Sequence, residues 1–86
     1  MDTLDSWPAL DAAPDAQIVG MTAREGAHDG SIRSMGKITG VIRDLRNGRV
    51  TRLAIEQTHN FTYRGETKQY YLPALIYRLD RPIIVD

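Results

Sequence analysis

The chain has 86 residues and a mass of 9.7 kDa, the size of one small domain, which excludes a multidomain enzyme and a long repeat array. Hydrophobic residues make up 42% of the chain and charged residues 26%, a balance typical of a soluble globular protein and not of a disordered or membrane-spanning chain. The formal net charge is zero, and the absence of cysteine excludes disulfides, thiolate zinc sites and a thiol nucleophile.

The first fifteen residues are rich in Asp and Ala and contain two prolines, without a sustained period of 2 or 3.6. We predict that residues 1–15 form a flexible acidic leader in front of a folded domain over residues 16–86. Leu4, Trp7 and Leu10 recur every three positions in the leader, which suggests a motif that docks on a protein partner, although a lone Trp more often packs on its own domain. The N-terminus has neither a basic nor an apolar segment, so we expect a cytoplasmic protein without a membrane anchor.

The charges are divided unequally along the chain. Residues 1–30 contain six acidic side chains and one basic one, a net charge of −5, whereas residues 31–86 contain five acidic and ten basic ones, a net charge of +5. The basic part can attract nucleic acid or an acidic partner, or it can bind the chain's own acidic leader.

Strand formers and turn formers alternate from residue 16 onward, which predicts a β-rich domain. A first strand is predicted over residues 17–22. The dipeptide Asn47-Gly48 then predicts a two-residue type I′ turn. The strands that flank this turn are expected to cover residues 40–46 and 49–56.

The register set by that turn assigns the side chains of this hairpin to two faces. The predicted core face carries Ile38, Ile42, Leu53 and Ile55, and the opposite face carries Val41, Leu45, Val50 and Ala54. Arg43 is expected directly opposite Arg52, and because opposed like charges destabilise a sheet, this pair requires an anion or another chain nearby, unless both guanidinium groups extend into water. We predict a subunit interface formed by Val41, Leu45, Val50, Arg43 and Arg52.

A second hairpin is predicted over residues 61–72, with Gly65 in its turn because glycine tolerates the positive φ of a tight turn. Pro73 suits the first turn of a helix, so one short helix is expected at residues 73–78, followed by a last strand at residues 83–85. The whole pattern predicts a mostly β fold, a small antiparallel β-barrel or β-roll of five to six strands with that one short helix.

Three short motifs follow one another along the domain: ITGVIRDL at residues 38–45, GRVTRLAI at residues 48–55 and YYLP at residues 70–73. This order of a glycine strand with an internal Asp, a Gly-Arg-Val turn into an apolar strand, and a hydrophobic-Pro step resembles the PRC-barrel family. The resemblance covers about residues 16–86. It implies a small β-barrel that binds or assembles other macromolecules without a shared catalytic site.

No set of residues in the sequence forms a recognisable catalytic or metal site. His28 and His59 have no Cys or third His to complete a metal site and are interpreted as turn histidines, and the glycines form no phosphate-binding loop. Asp44 is expected to accept hydrogen bonds near the hairpin turn. We therefore predict a non-enzymatic protein without catalytic residues, a metal site or a cofactor.

Two functions from different classes remain. The leading hypothesis is a protein-interaction or assembly module that forms a homodimer, because a domain of this size buries only about 60–65% of its surface and gains stability from a second copy. The alternative is a small RNA-associated, nucleic-acid-binding barrel that uses Arg43, Arg46, Arg49 and Arg52 of the first hairpin, with Tyr63, Tyr70 and Tyr71 as stacking groups. The net charge of zero argues against this alternative, since binding to phosphates relies on counterion release.

Overall fold

The computed structural model describes residues 3–26, 30–78 and 81–86. Two short helices come first, α1 (Trp7–Ala12) and α2 (Asp15–Ile18). The strands are β1 (Thr22–Gly26), β2 (Ile32–Arg43), β3 (Val50–Tyr63), β4 (Glu66–Tyr77) and β5 (Ile83–Val85). The predicted mostly β, antiparallel fold is confirmed, and its five strands agree with the five to six that were predicted.

The five strands lie in one antiparallel sheet in the order β4-β3-β2-β1-β5. β1 to β4 form a meander, and β5 returns to pair with β1. β4 and β5 therefore form the two edges of the sheet. Leu4 extends beside β5, where it exchanges two backbone hydrogen bonds with Val85 at 2.8 and 2.7 Å.

The core lies between the two helices and one face of the sheet, the inner face. Ile38 of β2, Leu53 and Ile55 of β3 and Ile76 of β4 are buried on this face. The other buried residues of the core are Trp7, Leu10, Ala13, Ile18, Ala23, Val50, Ile83 and Val85. Three of the four predicted core residues of the first hairpin thus have the expected position.

The segment predicted to be a flexible leader is folded over its described residues, 3–15. The Ser6 hydroxyl accepts a hydrogen bond of 3.2 Å from a first-turn amide of α1, and Pro8 lies where its missing N–H leaves no bond unmade. Trp7 and Leu10 are buried against the sheet, and Leu4 is half-buried beside β5. The prediction that Leu4, Trp7 and Leu10 dock on a partner is corrected, because these side chains pack on their own domain.

The predicted first strand is also wrong, because residues 17–22 do not form one. Pro14 is the N-cap of α2, with an extended backbone, and Asp15 lies in the first turn of the helix, where a carboxylate is favourable. Gly20 follows the helix with a φ of 99°, and β1 begins only at Thr22. The local start signals of a helical turn outweigh the β-propensity of the residues that follow.

The connection between β2 and β3 is wider than the predicted two-residue turn and covers residues 44–49. The carboxylate of Asp44 accepts a hydrogen bond from the Arg46 amide at 2.8 Å, and its carbonyl accepts one from the Gly48 amide at 2.8 Å. Gly48 has a φ of 72°, but Asn47 lacks the positive φ that a type I′ turn also requires. The expected hydrogen bonding of Asp44 is confirmed, and it shapes this wider loop.

The wider loop, together with two register shifts along β2, changes the pairing of this hairpin. Val41 lies on the inner face, where it packs against the core, and Ile42 lies on the opposite, outer face. The structure reverses the predicted positions of both residues, because a slip of one residue moves a side chain to the other face. Arg43 pairs with Val50 and does not face Arg52.

The short helix predicted at residues 73–78 is not formed, since β4 runs through Pro73 to Tyr77. Pro73 pairs with Glu56 of β3. A proline is tolerated in an edge strand when its nitrogen faces away from the ladder. The position of Pro73 at the edge therefore removes the reason to expect a helix.

β3 and β4 extend beyond the rest of the sheet. β2 pairs with β3 no further than Glu56, whereas β4 pairs with β3 as far as Tyr63. At Gly36 the β2 backbone lies so close to the Glu56 carbonyl that a Cβ atom would overlap it. Residues 57–72 thus form a hairpin, the arm, and neither of its strands pairs with a third strand among the described residues. The radius of gyration is 14.4 Å, against about 12 Å for a compact chain of this length.

Candidate functional site

Arg43 binds the leader to the sheet. Its guanidinium donates hydrogen bonds to the carbonyls of Asp11 at 3.0 Å and Ala13 at 2.6 Å, at the C-terminal end of α1, and to the Gly48 carbonyl at 2.8 Å. Its Nε donates to the Asp15 carboxylate at 2.8 Å. Because the last carbonyls of a helix carry partial negative charge, one guanidinium neutralises both the helix end and the carboxylate.

A second ion pair fastens the same segment. The Asp11 carboxylate accepts hydrogen bonds from Arg78 Nη1 and from the Val50 amide, both at 2.8 Å. The hydrogen bond from Arg78 holds the pKa of Asp11 below its ordinary value of 3.8, against the opposing effect of burial. The Arg78 guanidinium also lies 5.8 Å from the centroid of the Trp7 ring.

The pairs Arg43–Asp15 and Arg78–Asp11 are named the latch. The contact between an acidic leader and a basic domain is the one that the unequal charge distribution suggested. The sequence did not single out Asp11 or Arg78, since each lies far along the chain from its partner.

The residues predicted to form a subunit interface do not share an exposed face. Val50 is fully buried, and Val41 is half-buried against the core of its own chain. Arg43 is bonded to the leader, and Arg52 is half-buried on the outer face. Leu45, in the loop after β2, is fully exposed. The predicted interface is corrected at Val50 and Val41, because side chains that pack in the core of one chain cannot contact another; for Leu45 and Arg52 it stays a prediction.

The arm carries an exposed group of large apolar side chains. The described residues contain ten exposed large hydrophobic side chains, and five of them lie on the arm: Phe61, Tyr63, Tyr70, Tyr71 and Leu72. Phe61 is 56% exposed and Tyr63 is 72% exposed. Scattered apolar side chains are normal on a protein surface, whereas a contiguous group indicates an interaction site. Phe61, Tyr63, Tyr70 and Leu72 share one face of the arm, and Tyr71 lies on the other.

One face of the arm continues the inner face of the sheet. We call the part of the molecule outside the arm the body, and the turn at residues 64–65 the tip. From the body to the tip, the paired residues on this face are Ile55–Ala74, Gln57–Leu72, His59–Tyr70, Phe61–Lys68 and Tyr63–Glu66. The Phe61 ring contacts the edge of Tyr70, with centroids 5.5 Å apart, and stacks with His59 at 6.4 Å. A shallow concavity of about 300 Å³ opens at the aromatic end of this face. Apolar side chains on this face therefore continue from the core onto the arm through Leu72, Tyr70, Phe61 and Tyr63, with polar side chains beside them.

The tip of the arm is a tight two-residue turn. Arg64 has a φ of 52° and Gly65 a φ of 79°, the pair of positive values that defines a type I′ hairpin turn. The positive φ expected at Gly65 is confirmed. The Arg64 guanidinium lies 5.3 Å from the centroid of the Tyr63 ring.

The outer edge of β4 is free, since no other described strand pairs with it. The Arg78 amide donates to the Thr51 carbonyl at 3.0 Å, so by alternation the even-numbered residues of β4 bond to β3 and the odd-numbered residues direct their backbone groups outward. Pro73 belongs to the odd-numbered set, and its missing N–H interrupts the free edge without weakening the ladder. Between the tip and Pro73, the free edge is continuous over residues 66–72.

The arginines and tyrosines of the predicted nucleic-acid site lie near opposite ends of β3. Arg46 and Arg49 are exposed in the loop that precedes β3, while Tyr63 ends β3, and Tyr70 and Tyr71 lie beside the distal half of this strand. A 14-residue strand spans roughly 43 Å from its first to its last Cα. The structure therefore does not bring the two groups together into one patch.

Within residues 3–26, 30–78 and 81–86, no three or more His, Cys, Asp or Glu side chains lie where they could hold a metal ion. Over the same ranges, no helix is long and apolar enough to cross a membrane. His59 lies on the arm beside Phe61, and His28 lies outside the described residues.

Known proteins give no further guide to the function. No protein-family model matches the chain, and neither a curated protein nor a solved structure does. The resemblance to the PRC-barrel family stays a prediction from the three motifs. The arm is the surface on which the structure concentrates exposed aromatic side chains and free backbone groups, and we take it as the candidate functional site.

Proposed function

We propose that this chain is a protein-interaction and assembly module, that the arm is its docking surface, and that it self-associates. The observation that carries the proposal is the group of five large apolar side chains on a hairpin whose strands pair with no third strand. An isolated two-stranded hairpin is only marginally stable in water, so a hairpin of this length gains stability when another strand or an apolar surface packs on it. The PRC-barrel resemblance agrees with an assembly role.

The charge of the arm supports a protein partner over a nucleic acid. Residues 57–72 contain two basic side chains, Arg64 and Lys68, and one acidic side chain, Glu66. Aromatic residues are enriched and charged residues depleted in the cores of protein interfaces. A phosphate backbone instead requires several neutralising cations, and Arg43, one of the arginines predicted for that purpose, is engaged by the leader.

Size-exclusion chromatography with light scattering on the full chain, at low and moderate salt, tests the proposal. We expect a dimer or larger assembly at both salt concentrations, because an interface with few charges is weakly screened. The double variant Tyr70→Ser/Tyr71→Ser, which removes one aromatic ring from each face of the arm, is expected to elute as a monomer. Leu45→Ser is the matched control, since it removes an exposed apolar side chain outside the arm.

Two results contradict this function. One is a monomeric wild-type chain at every concentration and salt tested. The other is an assembly that Leu45→Ser disrupts while the double arm variant leaves it intact, because the docking surface would then lie elsewhere.

Anisotropy of a labelled single-stranded RNA at low salt tests the nucleic-acid alternative on the same samples. We expect no binding that depends on Arg46 and Arg49. Binding that weakens steeply with salt and is lost in Arg46→Ser/Arg49→Ser would favour the alternative instead.

A further inference from the structure

We propose that the partner of the arm is a second copy of this chain, and that the two β4 strands pair antiparallel across a twofold axis at Gln69. The inference rests on the proposed function and specifies both the occupant and its register. Its basis is the free edge of β4, together with the two features that bound this edge.

The free segment has a defined centre. The tight turn at Arg64 and Gly65 ends the edge on one side, and Pro73, which cannot donate a hydrogen bond, ends it on the other. Seven residues remain, 66–72, and Gln69 is the middle one. Two identical antiparallel segments overlap completely only when their central residues face each other, which places Gln69 on the symmetry axis.

The backbone groups that this pairing requires already point outward. Thr67, Gln69 and Tyr71 are the odd-numbered residues of the segment, so their N–H and C=O groups face the free edge. With the axis at Gln69, Thr67 of one copy pairs with Tyr71 of the other, and Gln69 pairs with its own equivalent. These three pairs form about six hydrogen bonds between the chains.

Registers displaced by one residue are less favourable. An axis at Lys68 brings the two Lys68 side chains opposite each other. An axis at Tyr70 brings Pro73, which lacks an N–H, opposite Thr67 in both copies.

Registers displaced by two residues are less favourable as well. An axis at Tyr71 brings Pro73 opposite Gln69 in both copies, and each missing N–H removes a hydrogen bond. An axis at Thr67 brings the turn of one copy opposite Gln69 of the other, where Gly65 has left the extended conformation. The bounded segment therefore selects the central register.

The side chains of the segment are complementary in this register. Lys68 lies across from Tyr70 of the second copy, so its aliphatic stem and ammonium group can pack on the ring, and Glu66 lies across from Leu72. No like charges are directly opposed, and the single acid and single base of residues 66–72 leave the segment without net charge. Two copies therefore approach without electrostatic repulsion.

Pairing of two arms produces a four-stranded sheet. A sheet of this size exceeds the three strands that independent stability requires, whereas each arm alone has two. The same contact is used by both copies, so this β4 contact closes as a dimer. It covers the free edge of β4 in both copies at once.

A cysteine crosslink tests the register in the full chain. The chain has no cysteine, so Q69C and N60C each introduce a single thiol. Asn60 is paired with Gln69 across the arm and lies on the same face, but on β3, which makes it the matched control. Hydrogen-bonded antiparallel partners have Cα atoms about 5.5 Å apart, a separation that a disulfide can span. Under mild oxidation we expect a covalent dimer for Q69C and none for N60C on a non-reducing gel.

A proline substitution tests the backbone hydrogen bonds separately from the side chain. Q69P removes an outward N–H and leaves the bonds to β3 in place, as Pro73 does, whereas Q69A keeps the N–H. From sedimentation equilibrium we expect Q69P to raise the dimer dissociation constant roughly 100-fold and Q69A to change it by less than about fivefold. Circular dichroism of both variants checks that the fold is retained.

The outcomes separate this inference from the proposed function. A wild-type dimer that the double arm variant dissociates, but in which N60C crosslinks as readily as Q69C, overturns the β4 pairing and leaves the docking function in place. If Q69P and Q69A change the dimer dissociation constant equally, the β4 pairing is also overturned. The contact would then depend on side chains and not on the backbone N–H of residue 69. A wild-type monomer at all concentrations overturns both proposals.

Discussion

The leader and the arm both carry apolar residues outside the central part of the sheet, but only the leader buries them. Trp7 and Leu10 of the leader lie in the core, whereas Phe61 and Tyr63 of the arm are more than half exposed. Burial therefore cannot be read from the presence or spacing of apolar residues. Burial also depends on the polar and charged contacts that the segment makes with the rest of the protein.

The two segments also differ in charge pairing. The leader supplies Asp11 and Asp15, and the body supplies Arg78 and Arg43, which hold the helix close enough for its apolar side to pack. The arm extends beyond the point where β2 ends its pairing with β3. No further strand of the described chain therefore pairs with the arm. The free N–H and C=O groups of β4 can form hydrogen bonds with another strand. We therefore expect this edge to pair with a strand of another molecule.

The largest effect is expected when the packing of the leader is broken. Leu10 is fully buried, and Leu10→Ala should lower the free energy of unfolding by about 3 kcal/mol, through lost apolar burial and the cavity left behind. Leu45→Ala makes the same chemical change at a fully exposed position and should change it by less than about 0.5 kcal/mol. Urea unfolding followed by circular dichroism measures both. Equal losses would show that the leader is no better packed than an exposed loop.

The latch provides the next largest effect. Arg43→Lys keeps the positive charge but replaces a planar fork that reaches Asp15, Asp11 and Ala13 by a single ammonium group, so helix carbonyls lose their donors. We expect a loss of about 2 kcal/mol in the free energy of unfolding. Arg46→Lys, in the exposed loop, is the control and should have almost no effect. If both variants behave alike, the leader is not held by this guanidinium.

The elements that local patterns determine were predicted correctly. The second hairpin, with its glycine at a positive φ, and the last strand at residues 83–85 depend on neighbouring residues alone. Ile38, Leu53 and Ile55 lie on the inner face as expected. Asp44 accepts a hydrogen bond beside its loop, which a short polar side chain before a turn predicts.

The errors arose where a distant or competing contact decides the local structure. The hydrogen bonds of Asp44 widen the loop that Asn47-Gly48 alone would close, and the register slip that follows exchanges the faces of Val41 and Ile42. The helix expected after Pro73 depended on a property that the sequence does not display, namely whether that strand lies at an edge.

The candidate site was predicted in part. Tyr63, Tyr70 and Tyr71 were singled out as stacking groups, and the structure finds them exposed on the arm. Their separation from Arg46 and Arg49 follows from the length of β3, which no local motif specifies. The free edge of β4 also required the strand order, because a strand's position in a sheet is set by pairing over the whole chain.

Acid should weaken the leader through Asp11. The folded-state pKa of this carboxyl is lowered, so its stabilising contribution is present above the ordinary value of 3.8 and is lost as the pH falls through the folded pKa. At neutral pH, Asp11→Asn should cost about 1 kcal/mol of unfolding free energy, and this difference from wild type should begin to shrink about one pH unit above 3.8. Asp5→Asn, an exposed position in the same segment, is the control. A difference that stays constant down to pH 3 would contradict the ion pair with Arg78.

The smallest expected effect concerns the tip of the arm. Arg64 adopts a left-handed conformation that costs a non-glycine residue about 1 kcal/mol, and asparagine tolerates it better. Arg64→Asn should therefore stabilise the hairpin by roughly 0.5 kcal/mol, which slows hydrogen exchange of the Phe61 amide about twofold. The Ile55 amide, in the body, should be unchanged. If hydrogen exchange of both amides slows equally, the arm and the body open as one unit. The arm would then not be a separately opening hairpin, which would contradict this prediction.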